Sequence, residues 1–164
     1  MQHLILIEGL GPAEENALEI QKRYRKHVQQ RENPKTHNAF ASVEEAAQRL
    51  CAHHRGLDIK RATYLAKRQL IQKNQHWMWS FDPRHKEKSA IAFSLDRHMK
   101  ILQGISCPCS LIFGNQSPYT KWIDIAKRSK VIPTLEQTYY IDGGHSPHLT
   151  HPSALSQVLL SVLS

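Results

Sequence analysis

Four apolar residues in a row, Leu4-Ile5-Leu6-Ile7, run into Glu8 and then Gly9-Leu10-Gly11-Pro12. An unbroken apolar run of this length, stopped by glycine and proline, predicts a strand buried on both faces, as in a parallel sheet. Cys109-Ser110-Leu111-Ile112-Phe113-Gly114 predicts a second such strand, and Gln137 to Asp142 a third. Elsewhere the apolar spacing changes to three and four. Ala17, Ile20, Tyr24 and Val28 mark an amphipathic helix from Glu14 to Arg31, ended by Asn33-Pro34. Ser42 and Glu45 form a capping box for a helix through Leu50 that closes by Gly56, and Asp58 caps a third helix carrying Ala62, Leu65, Ala66 and Gln69. His76 to Phe81 reads as extended, with Trp77, Trp79 and Phe81 on one side, and Asp82-Pro83 turns it. Ser94 opens a helix with Leu95, Met99 and Leu102 on one face that ends at Gly104. Helices from about Thr120 to Ser129 and from Ser153 to Leu163 follow, the last packing through Leu155, Val158, Leu159 and Val162.

The order is strand, helical block, helix, strand, helix, strand, helix. That alternation builds a parallel sheet flanked by helices, so the fold class is α/β with about three parallel strands. A length of 164 residues and a hydrophobic content of 40% suit one soluble domain.

Charge changes the picture in one region. The net charge is +8, and residues 13 to 100 alone hold 18 basic against 10 acidic side chains, so the flanking segments cancel. An acidic partner is therefore considered. Lys22, Arg23, Arg25, Lys26 and Arg31 with the Trp77 and Trp79 pair suggest phosphates and base stacking, but Glu14, Glu15, Glu19 and Glu32 share that helix. A solvated face is expected, and no nucleic acid. Cys51, Cys107 and Cys109 are too few and too unevenly placed for a disulfide framework, so a reducing cytoplasm is the expected setting. The opening residues lack a basic n-region, and the Ala154 to Leu163 stretch is far shorter than the ~20 apolar residues that span a bilayer. No membrane partner is expected.

The candidate chemistry lies near the end of the chain, in Tyr139-Tyr140-Ile141-Asp142-Gly143-Gly144-His145-Ser146-Pro147-His148. An apolar strand runs into Gly-Gly-His, then a proline-bounded loop and a closing helix. His145, His148 and His151 with Asp142 have a spacing of three that also suits metal ligands, but Pro147 and Pro152 interrupt the helix that would align them. Cys107-Pro108-Cys109 lacks a second ligand pair. No metal and no cofactor are expected.

Taken in order, Leu4-Ile5-Leu6-Ile7-Glu8-Gly9-Leu10-Gly11-Pro12, Leu65-Ala66-Lys67-Arg68 with Trp79-Ser80-Phe81-Asp82-Pro83-Arg84, Cys107-Pro108-Cys109-Ser110-Leu111-Ile112-Phe113-Gly114 and Gly143-Gly144-His145 resemble the C-terminal part of an α/β-hydrolase. The group is that of serine-hydrolase-like proteins and haloalkane dehalogenases, and the resemblance covers essentially the whole chain. It implies a partial hydrolase core over residues 1–12 and 101–164 and a helical cap over 13–100, where Trp77, Trp79 and Phe81 line an apolar pocket or pack the cap.

The resemblance also implies roles. His145 takes the place of the family's catalytic base. The acid of many members falls near Ser117, which supplies no negative charge; other members place it after the preceding core strand, which here is Glu8. A glutamate directly after a buried strand is unusual unless paired. Asp142 is a second candidate, only three residues from His145. The nucleophile is missing: none of the thirteen serines stands in a Gly-x-Ser-x-Gly elbow, and Cys109 lies inside a buried strand. The family's first strands, elbow and oxyanion loop are expected upstream of Met1. The expectation is a truncated or split serine hydrolase that cleaves an ester or related bond of a small apolar substrate when complete, and is inactive as this chain alone. The alternative is a noncatalytic binding module. In either case the Leu4 to Ile7 strand has an open edge, available for self-association or for a complementing N-terminal half.

Overall fold

The computed structural model describes residues 3–164; Met1 and Gln2, the first residues of the expected 1–12 segment, lie outside the described residues. In chain order the elements are β1 (Leu4–Ile7), α1 (Ala17–Glu32), α2 (Val43–His53), α3 (Ile59–Gln69), β2 (Leu70–Lys73), β3 (His76–Trp79), a 3-10 turn (Pro83–Lys86), α4 (Leu95–Gln103), β4 (Cys109–Gly114), α5 (Tyr119–Trp122), α6 (Ile125–Ser129), β5 (Leu135–Ile141), α7 (Pro147–Thr150) and α8 (Pro152–Leu163). They form two compact units, one comprising the chain through Glu14 with Ser94–Ser164, the other Glu15–Phe93.

The first unit is a parallel sheet in the order β1-β4-β5, with Leu6 opposite Leu111 and Leu111 opposite Thr138. Because side chains alternate across a strand, each apolar run feeds two cores. Leu4, Leu6, Cys109, Leu111 and Phe113 join Met99 and Leu102 of α4 and the 119–135 segment on one side. Ile5, Ile7, Ile112, Tyr139 and Ile141 meet Leu155, Val158 and Leu159 of α8 on the other. Leu111, Ile112 and Phe113 are wholly inaccessible, and each contributes roughly 1.5–3 kcal/mol through burial. The packing of Met99 and Leu102 places α4 in this unit. β1 pairs only with β4, so among the described residues its other edge carries no strand.

In the second unit, Asn16 accepts the Glu19 N–H at 3.0 Å and the Glu19 carboxylate accepts the Asn16 N–H at 2.8 Å. This reciprocal box starts α1 three residues later than the apolar spacing predicts. Ser42 caps α2 as expected, but the Glu45 carboxylate takes the Ala41 N–H, one residue earlier than in a standard box. Asp58 caps α3 through the Arg61 N–H at 3.0 Å. Fully buried Ala46 and Ala47 of α2 and Ala62 and Ala66 of α3 keep those helices close.

Two local features depart from the sequence expectation. Leu70–Lys73 is a strand, antiparallel to β3 with Leu70 opposite Trp79, joined by Asn74 and Gln75, both left-handed at φ 49° and 64°. With two apolar residues side by side and no alternation, this segment owes its strand to cross-strand pairing. The helix expected over 120–129 is two short helices, because the Asp124 carboxylate accepts the Lys127 N–H at 2.8 Å and restarts the turn.

Candidate active site

Glu8 follows the last residue of β1, and its backbone is left-handed at φ 52°. For a residue with a Cβ this conformation costs on the order of 1–3 kcal/mol and persists only where surrounding contacts impose it. The contacts are these: its N–H donates to the Ile112 carbonyl at 2.9 Å. Its side chain is 4% exposed. Oε1 accepts the Gly114 N–H at 2.6 Å, and Oε2 accepts the Ser117 hydroxyl at 2.7 Å. Nδ1 of His145 completes the set, 2.8 Å from Oε2. A buried carboxylate is tolerable when it is met by donors on both oxygens.

His145 arrives from the other end of the chain. The loop after β5 turns at Gly143, where φ is 146°. A Cβ on Gly143 would fall 2.6 Å from Nδ1 of His151, and one on Gly114 would fall 2.4 Å and 2.5 Å from the carbonyl oxygens of Gly143 and Gly144. The glycine at the end of β4 therefore lets the His145 loop lie directly against it. The Tyr119 ring, 7% exposed, lies 5.4 Å from the imidazole centroid and gives it an aromatic wall. The Tyr119 hydroxyl donates to the Gly11 carbonyl at 2.7 Å, and burial raises its pKa above 10.0.

The segment after Glu8 is clamped as well. Nη1 of Arg128, 3% exposed, donates to the carbonyls of Leu10, Gly11 and Pro12 at 2.8, 3.0 and 2.8 Å. Gly11, at φ 80°, packs so closely on His98 that a Cβ would fall 2.6 Å from Nε2.

An ionised carboxylate only accepts, so Glu8 fixes the proton of His145 on Nδ1 and leaves Nε2 as the basic nitrogen. The imidazole side chain is 51% exposed, and no hydrogen-bond partner of Nε2 is among the described residues. The arrangement can accept a proton at Nε2 while the carboxylate stabilises the resulting cation.

Of the residues singled out in the sequence, Glu8 and His145 are brought together and Asp142 is not: its Oδ1 accepts from Gln116 Nε2 at 2.7 Å. Ser117, 1% exposed, gives its proton to the acid and has no nucleophilic geometry toward the imidazole. Cys109 is a buried thiol with its pKa pushed up by burial, so it is not a nucleophile. Among the described residues no group of histidines, cysteines and carboxylates could hold a metal ion. The contributions of Tyr119, Arg128 and His98 escaped the sequence reading. No local pattern marks them, since each acts on residues distant in the chain, from 26 positions for Tyr119 and His145 to 118 for Arg128 and Leu10.

No family model and no curated protein matches the chain. Solved structures do. A thioesterase domain from the curacin biosynthetic pathway is 23% identical with a TM-score of 0.81, over 98% of this chain and 58% of that one. A hypothetical protein from Pseudomonas aeruginosa PAO1 is 20% identical with a TM-score of 0.79, over 96% and 56%. An esterase of M. tuberculosis is 17% identical with a TM-score of 0.70, over 99% and 54%. The chain spans slightly more than half the length of each. Over the part that it spans, it has the α/β-hydrolase fold.

Proposed function

We propose that the chain supplies the acid and the base of a serine hydrolase, Glu8 and His145, for cleavage of an ester or related bond. The observation that carries this reading is the 2.8 Å contact between Glu8 Oε2 and His145 Nδ1, with the carboxylate buried and met by two further donors. In such a site Nε2 removes the proton of a serine as it attacks the acyl carbon. It then returns that proton to the leaving group, and the same base next activates water to release the acid. That a thioesterase domain and an esterase are among the similar structures supports this class of reaction.

None of the 164 residues supplies the serine in an elbow. In this reading the nucleophile comes from polypeptide outside them, which pairs along the open edge of β1, and the 164 residues alone are inactive. The unit Glu15–Phe93 acts as the cap that selects a small apolar ester-like substrate. Three free thiols support a cytoplasmic setting, and no helix among the described residues is long and apolar enough to cross a membrane. The open edge also favours a second reading, a noncatalytic module that uses β1 to pair with a partner strand.

The test is to express the chain alone and joined to the polypeptide encoded in frame upstream of its first codon, and to measure p-nitrophenyl ester hydrolysis and fluorophosphonate labelling. The joined protein should take label on a serine of the added segment and hydrolyse the ester, and His145→Ala or Glu8→Ala should abolish hydrolysis. Undiminished hydrolysis in either variant overturns the assignment. Absence of any elbow-bearing segment leaves the pairing module.

A further inference from the structure

The unit Glu15–Phe93 contains a cavity of about 480 Å³ that owes nothing to Glu8 or His145. That size suits a ligand of one or two rings, within the roughly 300–1,000 Å³ of small-molecule sites. Phe40, Trp79 and Phe81 contribute to its wall. The Trp79 and Phe81 rings are stacked at 6.2 Å and 20°, and Phe40 meets Trp79 edge-on at 5.4 Å. The wall is therefore a preformed aromatic surface whose shape does not wait for the ligand.

The polar part of the lining has one sign. Lys35, Arg49 and Lys86 border the cavity, together with imidazoles of the 37–54 segment, and no carboxylate is among the described lining residues. A merely solvated basic face looks different. Beside α1, Arg23 is held by the Glu15 carboxylate, with Nε 2.6 Å from Oε2. Asp82 adjoins Phe81 in sequence but is committed to Arg84, with Nε 3.0 Å from Oδ2. Lys86 lies with Nζ 5.2 Å from the Phe81 ring centroid, which puts a cation against the aromatic surface itself.

We infer that this cavity is a binding site for a small anion that carries a flat apolar ring, with the ring on the Trp79 and Phe81 wall and the anionic head among Lys35, Arg49 and Lys86. The ring supplies burial and stacking; the like-charged rim supplies the selection for a negative head. The site stands independently of the hydrolase reading.

The probe is 1-naphthyl phosphate, titrated into the full chain while the Trp79 indole N–H is followed by NMR and affinity by calorimetry. 1-Naphthol carries the ring without the charge, inorganic phosphate the charge without the ring, and 1-naphthoate and 1-naphthalenesulfonate exchange the head. Naphthyl phosphate should shift the Trp79 indole and bind about tenfold more tightly than naphthol or inorganic phosphate, with an advantage that shrinks as salt is raised. Arg49→Gln and Lys86→Gln change exposed side chains, which keeps the fold intact by circular dichroism. Each should weaken binding roughly fivefold, and Lys60→Gln, outside the lining, should not. The three anions rank the head the rim prefers. Equal affinity for naphthol, unchanged binding in both glutamine variants, or shifts that bypass Trp79 each overturn the assignment.

Discussion

Oε2 of Glu8 and Nδ1 of His145 are 2.8 Å apart although 137 positions separate them in the chain. They belong to the ends of β1 and β5, which are not neighbours; β4 lies between. The carboxylate spans that gap at the end of β4, taking the Gly114 N–H on Oε1 as it reaches the imidazole. One side chain thus ties together the carboxyl ends of all three parallel strands, where open α/β sheets place their ligand sites.

Glu8→Gln should switch the imidazole tautomer. Oε1 and Oε2 together accept three donors, and an amide has only one accepting oxygen. If that oxygen stays on the Gly114 N–H, the amide nitrogen faces Ser117, which can rotate to accept, and His145, which accepts only by moving its proton to Nε2. Long-range 1H–15N NMR of the imidazole should report mainly Nδ1–H in the parent and Nε2–H in the variant. An unchanged tautomer shows that Glu8 does not set it.

Ser117→Ala removes a charge-assisted donor to Glu8 and the acceptor of the Tyr119 N–H. In a site this buried the loss should be about 2–3 kcal/mol in urea denaturation. Ser117→Asp should be worse at neutral pH, because two carboxylates cannot both ionise there. Its protonated form is favoured in the folded state, so stability should recover as the pH falls. Ser117→Asp combined with Glu8→Ser should restore a single carboxylate and relieve the penalty.

Gly114→Ala tests the close approach that seats the histidine loop. The added Cβ would meet two backbone carbonyl oxygens at 2.4 and 2.5 Å, and neither can rotate away as a side chain would. The expected cost is about 1–3 kcal/mol, with chemical-shift changes centred on Gly143, Gly144 and His145. A silent substitution contradicts the packing described.

Acid should weaken the Glu15–Arg23 pair selectively. The Arg23 guanidinium, hydrogen-bonded to Glu15, holds the carboxyl below its ordinary 4.5. A lowered carboxylate contributes stability that is fully present above the ordinary value and is lost as the pH falls through the lowered one. The side chains are 14% and 20% exposed, so Glu15→Gln should cost about 1 kcal/mol at pH 7, and the difference should shrink as the pH falls below 4.5. A penalty that persists in acid points to packing.

The strands of the sheet and most helix starts were legible because each rests on local chemistry: an apolar run closed by glycine, or an Asp58 or Ser94 side chain bonded three residues ahead. The β2–β3 hairpin was not, since Leu70–Lys73 has no strand pattern apart from its partner. The break at Asp124 was not read either: the helix was expected to run through it from about Thr120 to Ser129, whereas the Asp124 carboxylate caps a new turn at Lys127.

The sequence by itself determined that this is a parallel α/β chain, that Glu8 stands where a strand must stop, and that His145 stands on a glycine-freed turn. It left open which carboxylate the imidazole meets, with Glu8 and Asp142 both available and Ser117 in the position the resemblance assigned to an acid. Tertiary structure decided it. The register β1-β4-β5 brings Glu8, Gly114, Ser117 and His145 to one point, while Asp142 is drawn aside by Gln116. A carboxylate's partner is set by distances across strands, and those exist only once the strands have paired.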